Sequence, residues 1–293
     1  MAAHNNIPDL QVFGKGKGDF KLPTGYVDPN GRVFNRIYLR EMTGVEDDIM
    51  DDDELNLSER MSRVITNCTE KLATGDAGVD GGEPTVINNS ALMLAAISDN
   101  LSDGGLPLTI PDRMAALLFI RRLSMGDKYQ IDGRICPACG KPLKNKHILL
   151  SSLEIHYCKD ATKRRVNVSL PRSGKKAVLK MLTASNERKI SEARPTLKDV
   201  KSMAILARLE SLEGAKLTGD PDVDIDVVRN LPKLDRHLLI KTFNVMEGSI
   251  ETDVTVNCTA TGCGREFTFD LDLGQVFFSS PEMEVSLDNL DWV

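Results

Sequence analysis

Aromatic residues make up only 5% of this 293-residue chain, and a single tryptophan is among them. Stacking platforms for bases or sugars are therefore scarce. Positive charge is not in excess either: 37 Lys and Arg stand against 43 Asp and Glu, a net charge of −6. That balance excludes a molecule-wide electrostatic footprint for nucleic acid and leaves room only for a local basic patch. Long apolar runs are missing. A membrane-spanning helix needs about 20 mostly apolar residues, and the best run, Met114 to Ile120, stops at Arg121 and Arg122. The N-terminus, Met1-Ala2-Ala3-His4-Asn5-Asn6, lacks the charged start and apolar stretch of a secretion signal. The expectation is a chain kept in a reducing cytoplasm and away from membranes. Its six cysteines then read as thiols or metal ligands before disulfides.

Enzyme signatures are absent too. Neither Gly14-Lys15-Gly16-Lys17-Gly18 nor Ser173-Gly174-Lys175-Lys176 has the Gly-x4-Gly-Lys-Ser/Thr spacing of a phosphate loop. His4, His147, His156 and His237 fall in no motif, and no nucleophile elbow, His-Glu-x-x-His or dinucleotide fingerprint is found. The expectation is a protein that is not an enzyme and has no small-molecule substrate.

What is there reads as an α+β chain. Residues 1–19 form a loose, basic N-terminus, followed by a hairpin and helical region over 20–128. Asp28-Pro29-Asn30-Gly31 is a strong turn signal between an arm ending at Val27 and a return strand from Val33 to Leu39. Thr43-Gly44-Val45-Glu46 has capping-box spacing, and Glu46 to Glu54 reads as a solvated acidic face rather than a calcium loop. Met61, Val64, Ile65 and Cys68 put a helix over Ser58 to about Leu72, with Cys68 in the core. Residues 74–90 read as a Gly- and Asp-rich loop, and Ala91 to Ile97 as a short helix. The clearest helix starts at Thr109 or Pro111 and ends at Gly126, with Arg121 and Arg122 as cations near its C-terminus.

A β-rich region covers 129–280, with helices inserted over 185–247. Strands are expected over Tyr129 to Ile135, His147 to His156, Arg165 to Leu170, Lys176 to Leu182, Asp253 to Asn257, Glu266 to Leu273 and Val276 to Phe278. Thr196-Leu197-Lys198-Asp199 would open a helix running to Glu213. Asp222, Asp224 and Asp226 lack the glycine and closing Glu of a calcium loop and read as the entry to a helix. A helix over Leu231 to Glu247 would turn Leu234, Leu238 and Phe243 inward. Residues 281–293 form an acidic tail.

Four cysteines carry the chemistry. Cys136-Pro137-Ala138-Cys139-Gly140 and Cys258-Thr259-Ala260-Thr261-Gly262-Cys263-Gly264 each lie between strands and end in Cys-Gly. A tight turn with two thiolates and a glycine that lets the chain curl under a metal is a zinc knuckle. Two knuckles make a tetrahedral structural zinc site of Cys136, Cys139, Cys258 and Cys263, closing a loop of about 118 residues. A rival site would use Cys136, Cys139, His156 and Cys158, and a third reading keeps the turns without metal. Catalytic zinc would need an open position that four thiolates do not leave.

The order of features resembles the T-even-type baseplate hub assembly chaperone family of contractile-tail phages and contractile injection systems. The likeness is carried by Leu22-Pro23-Thr24-Gly25-Tyr26-Val27-Asp28, Leu39-Arg40-Glu41-Met42-Thr43-Gly44, Asp112-Arg113, Arg121 to Asp127, the first knuckle, Ser169 to Gly174, and the second knuckle with Arg265-Glu266-Phe267 and Phe277-Phe278. It spans roughly residues 20 to 280. The second pair is wider here than the family's Cys-Pro-x-Cys-Gly. The resemblance implies a non-enzymatic role in building the central hub. Its partners would be baseplate hub and tail proteins, in the cytoplasm of a host or producing bacterium, with the virion baseplate as a second location. The alternatives are a permanent structural subunit of the hub and a zinc-ribbon nucleic-acid-binding protein using Lys141, Lys144, Lys146, Lys159, Lys163, Arg164 and Arg165.

Overall fold

The turn at Asp28 to Gly31 closes a hairpin between β2 (Lys17–Val27) and β3 (Val33–Arg40). The Asp28 carboxylate organises it, accepting from the amides of Asn30 and Arg32 at 2.9 and 2.8 Å. This is a computed structural model, and it describes residues 11–12, 17–75, 84–102, 104–186 and 200–278. With β1 (Gln11–Val12), β4 (Thr69–Ala73) and β5 (Val86–Ile87) the hairpin forms a five-stranded antiparallel sheet, ordered β1-β2-β3-β4-β5. Lys17 to Asp19, expected to be loose, are therefore strand, because Arg40 to Tyr38 pair with them. Thr85 to Ile87 likewise leave the expected loop: the Thr85 carbonyl accepts from Thr74, and β5 pairs with β4. Residues 76–83 of that loop lie outside the described residues.

Four helices flank this sheet: α1 (Gly44–Asp51), α2 (Leu57–Cys68), α3 (Ser90–Ser98) and α4 (Ile110–Met125). The first core lies between sheet and helices, with Leu22, Ile37, Ile65, Leu72 and Ile97 fully buried. Phe20 and Phe119 stack with ring centroids 4.1 Å apart. The expected helix to Leu72 instead ends at Cys68, and Thr69 to Ala73 pair with β3. Glu46 is also a correction. It is buried rather than solvated, because Arg40 meets it with two hydrogen bonds at 2.8 and 3.0 Å.

The second core joins β9 (Arg165–Ser169), β10 (Lys176–Lys180) and β11 (Leu209–Leu212), ordered β11-β10-β9, to α5 (Val200–Arg208), α6 (Pro221–Arg229) and α7 (Lys233–Glu247). Leu179, Ile205, Val228 and Leu239 sit at its centre. The expected helix to Glu213 stops at Arg208, since Leu209 to Leu212 pair with β10. Its expected cap, Thr196 to Asp199, lies outside the described residues. Asp224 turns back to the amides of Thr218 and Gly219 at 2.9 Å. On α7, Phe243 faces inward as expected, but Leu234 is 57% exposed, and Leu239 takes the buried position one turn on.

The third core is built from hairpins. They are β6 (Lys128–Gln130) with β7 (His147–Leu149) and β13 (Asp253–Asn257) with β14 (Glu266–Asp270), followed by α8 (Leu273–Phe278); β8 (Ile155–His156) and β12 (Ser249–Ile250), distant in sequence, pair beside them. The expected strand from His147 to His156 is broken by a 3-10 turn at Leu150–Ser152. The strand expected from Val276 is a helix, which packs against α4. Arg121 makes that joint: it is buried, donates to the Val276 carbonyl at 2.8 Å and lies 5.3 Å from the Tyr129 ring centre. As a cation near the helix C-terminus it also donates to the Gly126 carbonyl at 3.3 Å, and Arg122 occupies the last turn, as expected.

The architecture is α+β, made of small antiparallel sheets, packed helices and a four-cysteine cluster. No helix among the described residues is long and apolar enough to cross a membrane.

Candidate metal centre

Each knuckle is held by its own turn. In the first, the Gly140 amide donates to the Cys136 carbonyl at 2.9 Å, and the Cys136 amide donates to Lys141 at 2.9 Å. In the second, Cys263 donates to Ala260 at 3.0 Å, and Cys258 donates to Arg265 at 2.9 Å. Gly140 and Gly264 take φ of +69° and +59°. Those are left-handed values that a side chain disfavours, as the Cys-Gly ending of each turn requires. A third contact joins the turns: the Lys144 amide donates to the Thr259 hydroxyl at 3.0 Å. Sequence reasoning missed Thr259, because a threonine after a cysteine carries no signal of its own.

The two turns bring four sulfurs together across the long loop. Cys136 Sγ lies 4.0 Å from Cys263 Sγ, and Cys139 Sγ lies 3.7 Å from Cys258 Sγ. All four sulfurs lie within 4.8 Å of one another. A tetrahedron with metal–sulfur bonds of about 2.3 Å has edges of about 3.8 Å. The two shortest contacts have that length, and the whole cluster is close to that size.

Local hydrogen bonding and crowding push Cys136 and Cys258 in opposite directions. The Cys139 amide, with burial opposing it, brings the Cys136 thiol down to about 7. At Cys258 the Ala260 amide favours the thiolate, but burial and the three neighbouring thiols outweigh it and push that thiol up to about 12. Four crowded sulfurs cannot all ionise by themselves, and a bound cation removes that conflict.

The rival set does not form. His156 lies beside the Glu154 carboxylate at 3.8 Å, on the exposed side of β8. The Cys158 amide donates to the Pro23 carbonyl at 2.9 Å, and burial raises its thiol. Cys68 is buried against α1 and the first sheet, as expected for a core residue.

A second constellation, polar and buried, joins the cores. Residues 22–25 leave the β2–β3 ladder, and Gly25 has φ +89° with a Cβ position only 2.6 Å from the Phe34 carbonyl. The amides of Thr24 and Gly25 there donate to the fully buried Asp112 at 2.6 and 3.0 Å. Thr24 Oγ1 donates to the Glu247 carbonyl at 2.6 Å, and Arg208 meets the Glu247 carboxylate at 2.9 and 2.8 Å. Arg164 donates to the Gly25 carbonyl at 2.8 Å. Asp112 was legible only as a helix-start acid, since nothing local marks its partners 87 and 88 residues away.

No family model, no curated protein and no solved structure matches the chain.

Proposed function

We propose that this chain is a non-enzymatic assembly chaperone of a contractile-tail baseplate hub, holding zinc on Cys136, Cys139, Cys258 and Cys263 and binding hub and tail subunits while they are built. The observation that carries the reading is where the residues behind the family resemblance sit. Asp112 holds Thr24 and Gly25. Arg113 donates to Ser62 Oγ and the Ile97 carbonyl. Arg121 reaches Val276, and the amides of Arg172 and Ser173 donate to the buried Asp235. These side chains join elements to one another. A fold that commits its most distinctive polar residues to internal joints suits a rigid body that presents surfaces to partners.

Zinc is favoured by the donor set. Four cysteines at tetrahedral spacing suit a structural site with no position left for water or substrate. The nucleic-acid alternative is weakened at three of its seven basic residues. Arg164 is directed to the Gly25 carbonyl, Arg165 pairs with Glu210, and Lys163 pairs with Asp160.

The test is fractionation. Producing cells are lysed, finished particles are separated from soluble material and assembly intermediates, and the chain is quantified in each by mass spectrometry. Presence in soluble and intermediate fractions alone is the expected result. A fixed copy number in finished particles makes the chain a permanent hub subunit. Absence from every particle-related fraction sinks both.

A further inference from the structure

We propose that the groove between β7 and β13 is a strand-docking site, filled by an extended segment of a partner protein that alternates apolar with basic or hydroxyl residues. That the partner is a hub subunit rests on the function proposed above; the site itself does not.

Among the described residues, β6-β7 and β13-β14 are separate two-stranded sheets, so β7 and β13 each have an open edge there. The register shows which groups those edges present. Ile131 donates to the Lys146 carbonyl and Leu150 to the Asp127 carbonyl, with Tyr129 opposite Ile148 between them. Ladder bonds alternate, so residues 146, 148 and 150 face β6, and the backbone groups of His147 and Leu149 turn outward. In the other hairpin, Cys258 donates to Arg265 and Leu271 to Thr252. Residues 252, 254, 256 and 258 face β14, and Asp253 and Thr255 turn outward. Two local contacts meet part of this need: Ser152 Oγ donates to the Leu149 carbonyl at 2.6 Å, and the Asp253 amide donates to Glu251 at 3.2 Å.

Both edges line one cavity of about 430 Å³. Its floor includes Ile148, Leu153, Val254 and Val256, all continuous with the third core. Leu149, 49% exposed, stands on the outer side. Folded proteins blunt an open edge with short strands, charges, proline, a bulge or a cover; β7 is short and Asp253 is charged, but neither His147–Leu149 nor Asp253–Asn257 contains the proline that would block pairing outright. A strand added there would gain main-chain hydrogen bonds and point every second side chain at the apolar floor.

Charge selects the occupant. Glu154, Glu251 and Asp253 line the cavity against one lysine, Lys146. The outward residues of the docked segment should therefore be basic or neutral. The chain's own residues 281–293 carry Glu282, Glu284, Asp288 and Asp291, which is the wrong sign.

The test uses the full chain and a nine-residue peptide alternating valine with lysine and threonine. Amide hydrogen exchange is followed at His147, Leu149 and Thr255. At saturation these amides should slow by about tenfold or more. The same peptide with a central proline should have no effect, and one with glutamate for lysine should bind about tenfold more weakly. Thr255→Pro should abolish binding; its amide faces outward, so the β13–β14 ladder keeps its bonds. Asp253→Lys, which leaves the backbone intact, should weaken the lysine peptide and strengthen the glutamate peptide. No protection at millimolar peptide overturns the proposal, as does equal binding of the proline peptide. Protection already present without peptide also overturns it: loss on dilution would make a second copy the occupant, and loss on removing residues 279–293 would make it the chain's own tail. No hub protein takes part, so this result and the fractionation result fail independently.

Discussion

Glu46 is fully buried, and its two carboxylate oxygens are shared between the Arg40 guanidinium and Thr43, whose amide and hydroxyl donate at 2.8 and 3.0 Å. Burial alone would raise its pKa. The Arg40 fork and the Thr43 donors outweigh that and hold it down at about 2, from 4.5. A carboxylate whose folded pKa is depressed stabilises the fold above its unfolded value, and that stabilisation is lost as pH falls through the folded one. The contribution is about 2 kcal/mol once the partial exposure of Arg40 is allowed for. Glu46→Gln should therefore lower the unfolding free energy by about that much at pH 7. The gap between variant and parent should close between about pH 4.5 and 2. A gap that stays constant with pH, measured by urea unfolding, would refute the assignment. The capping-box spacing of Thr43 and Glu46 was legible in the sequence. The burial was not, because Glu46 opens a run of acids and nothing in that run distinguishes the one residue that Arg40 reaches.

At the scale of elements, polar joints set the helix starts, and strand pairing sets several helix ends. α4 begins at Thr109, whose hydroxyl accepts from the Asp112 amide at 3.4 Å and donates to the Asp112 carboxylate at 2.8 Å. The same carboxylate receives Thr24 and Gly25 from β2, so the cap also fixes the helix against the sheet. Thr109→Ala should cost about 1–2 kcal/mol, at the upper end for a cap because a buried acceptor loses a donor. Thr109→Ser should restore most of it. Equal urea midpoints for the alanine variant and the parent would show that the cap does not hold the joint. This start was legible because Thr109, Pro111 and Asp112 are close in sequence. The ends of α2 and α5 were not. Cys68 and Leu72 fit a helical period, as do the leucines near 209 and 212, yet β3 and β10 offer those residues open ladders. A single sequence shows the period but not the neighbouring strand.

Across the whole molecule, the four cysteines pin together two segments, far apart in sequence, that also share the third core. All four were legible from spacing and from the Cys-Gly endings. The second core, which lies within the loop they close, was only partly so, because α5 runs into β11 at Leu209 with no breaking residue between them. Closing about 118 residues constrains the unfolded chain by roughly 4–5 kcal/mol on a loop-entropy estimate. The third core depends on this closure most, since Tyr129 and Leu143 come from one knuckle's hairpin and Val254 and Val256 from the other's. The first core depends on it less: its sheet, α2, α3 and α4 all precede the first knuckle, and only Ile155, Ile250 and Phe277 join it from beyond. Protein purified without added metal should hold about one zinc per chain. The zinc should be lost when Cys136 and Cys263 both become serine. Chelation should then speed amide exchange in β6, β7, β13 and β14 while Ile37 and Leu72 remain protected. A folded chain with no metal would remove the site. If chelation released all amides together, the three cores would be one cooperative unit, and the cysteine cluster would support the whole fold rather than its third part.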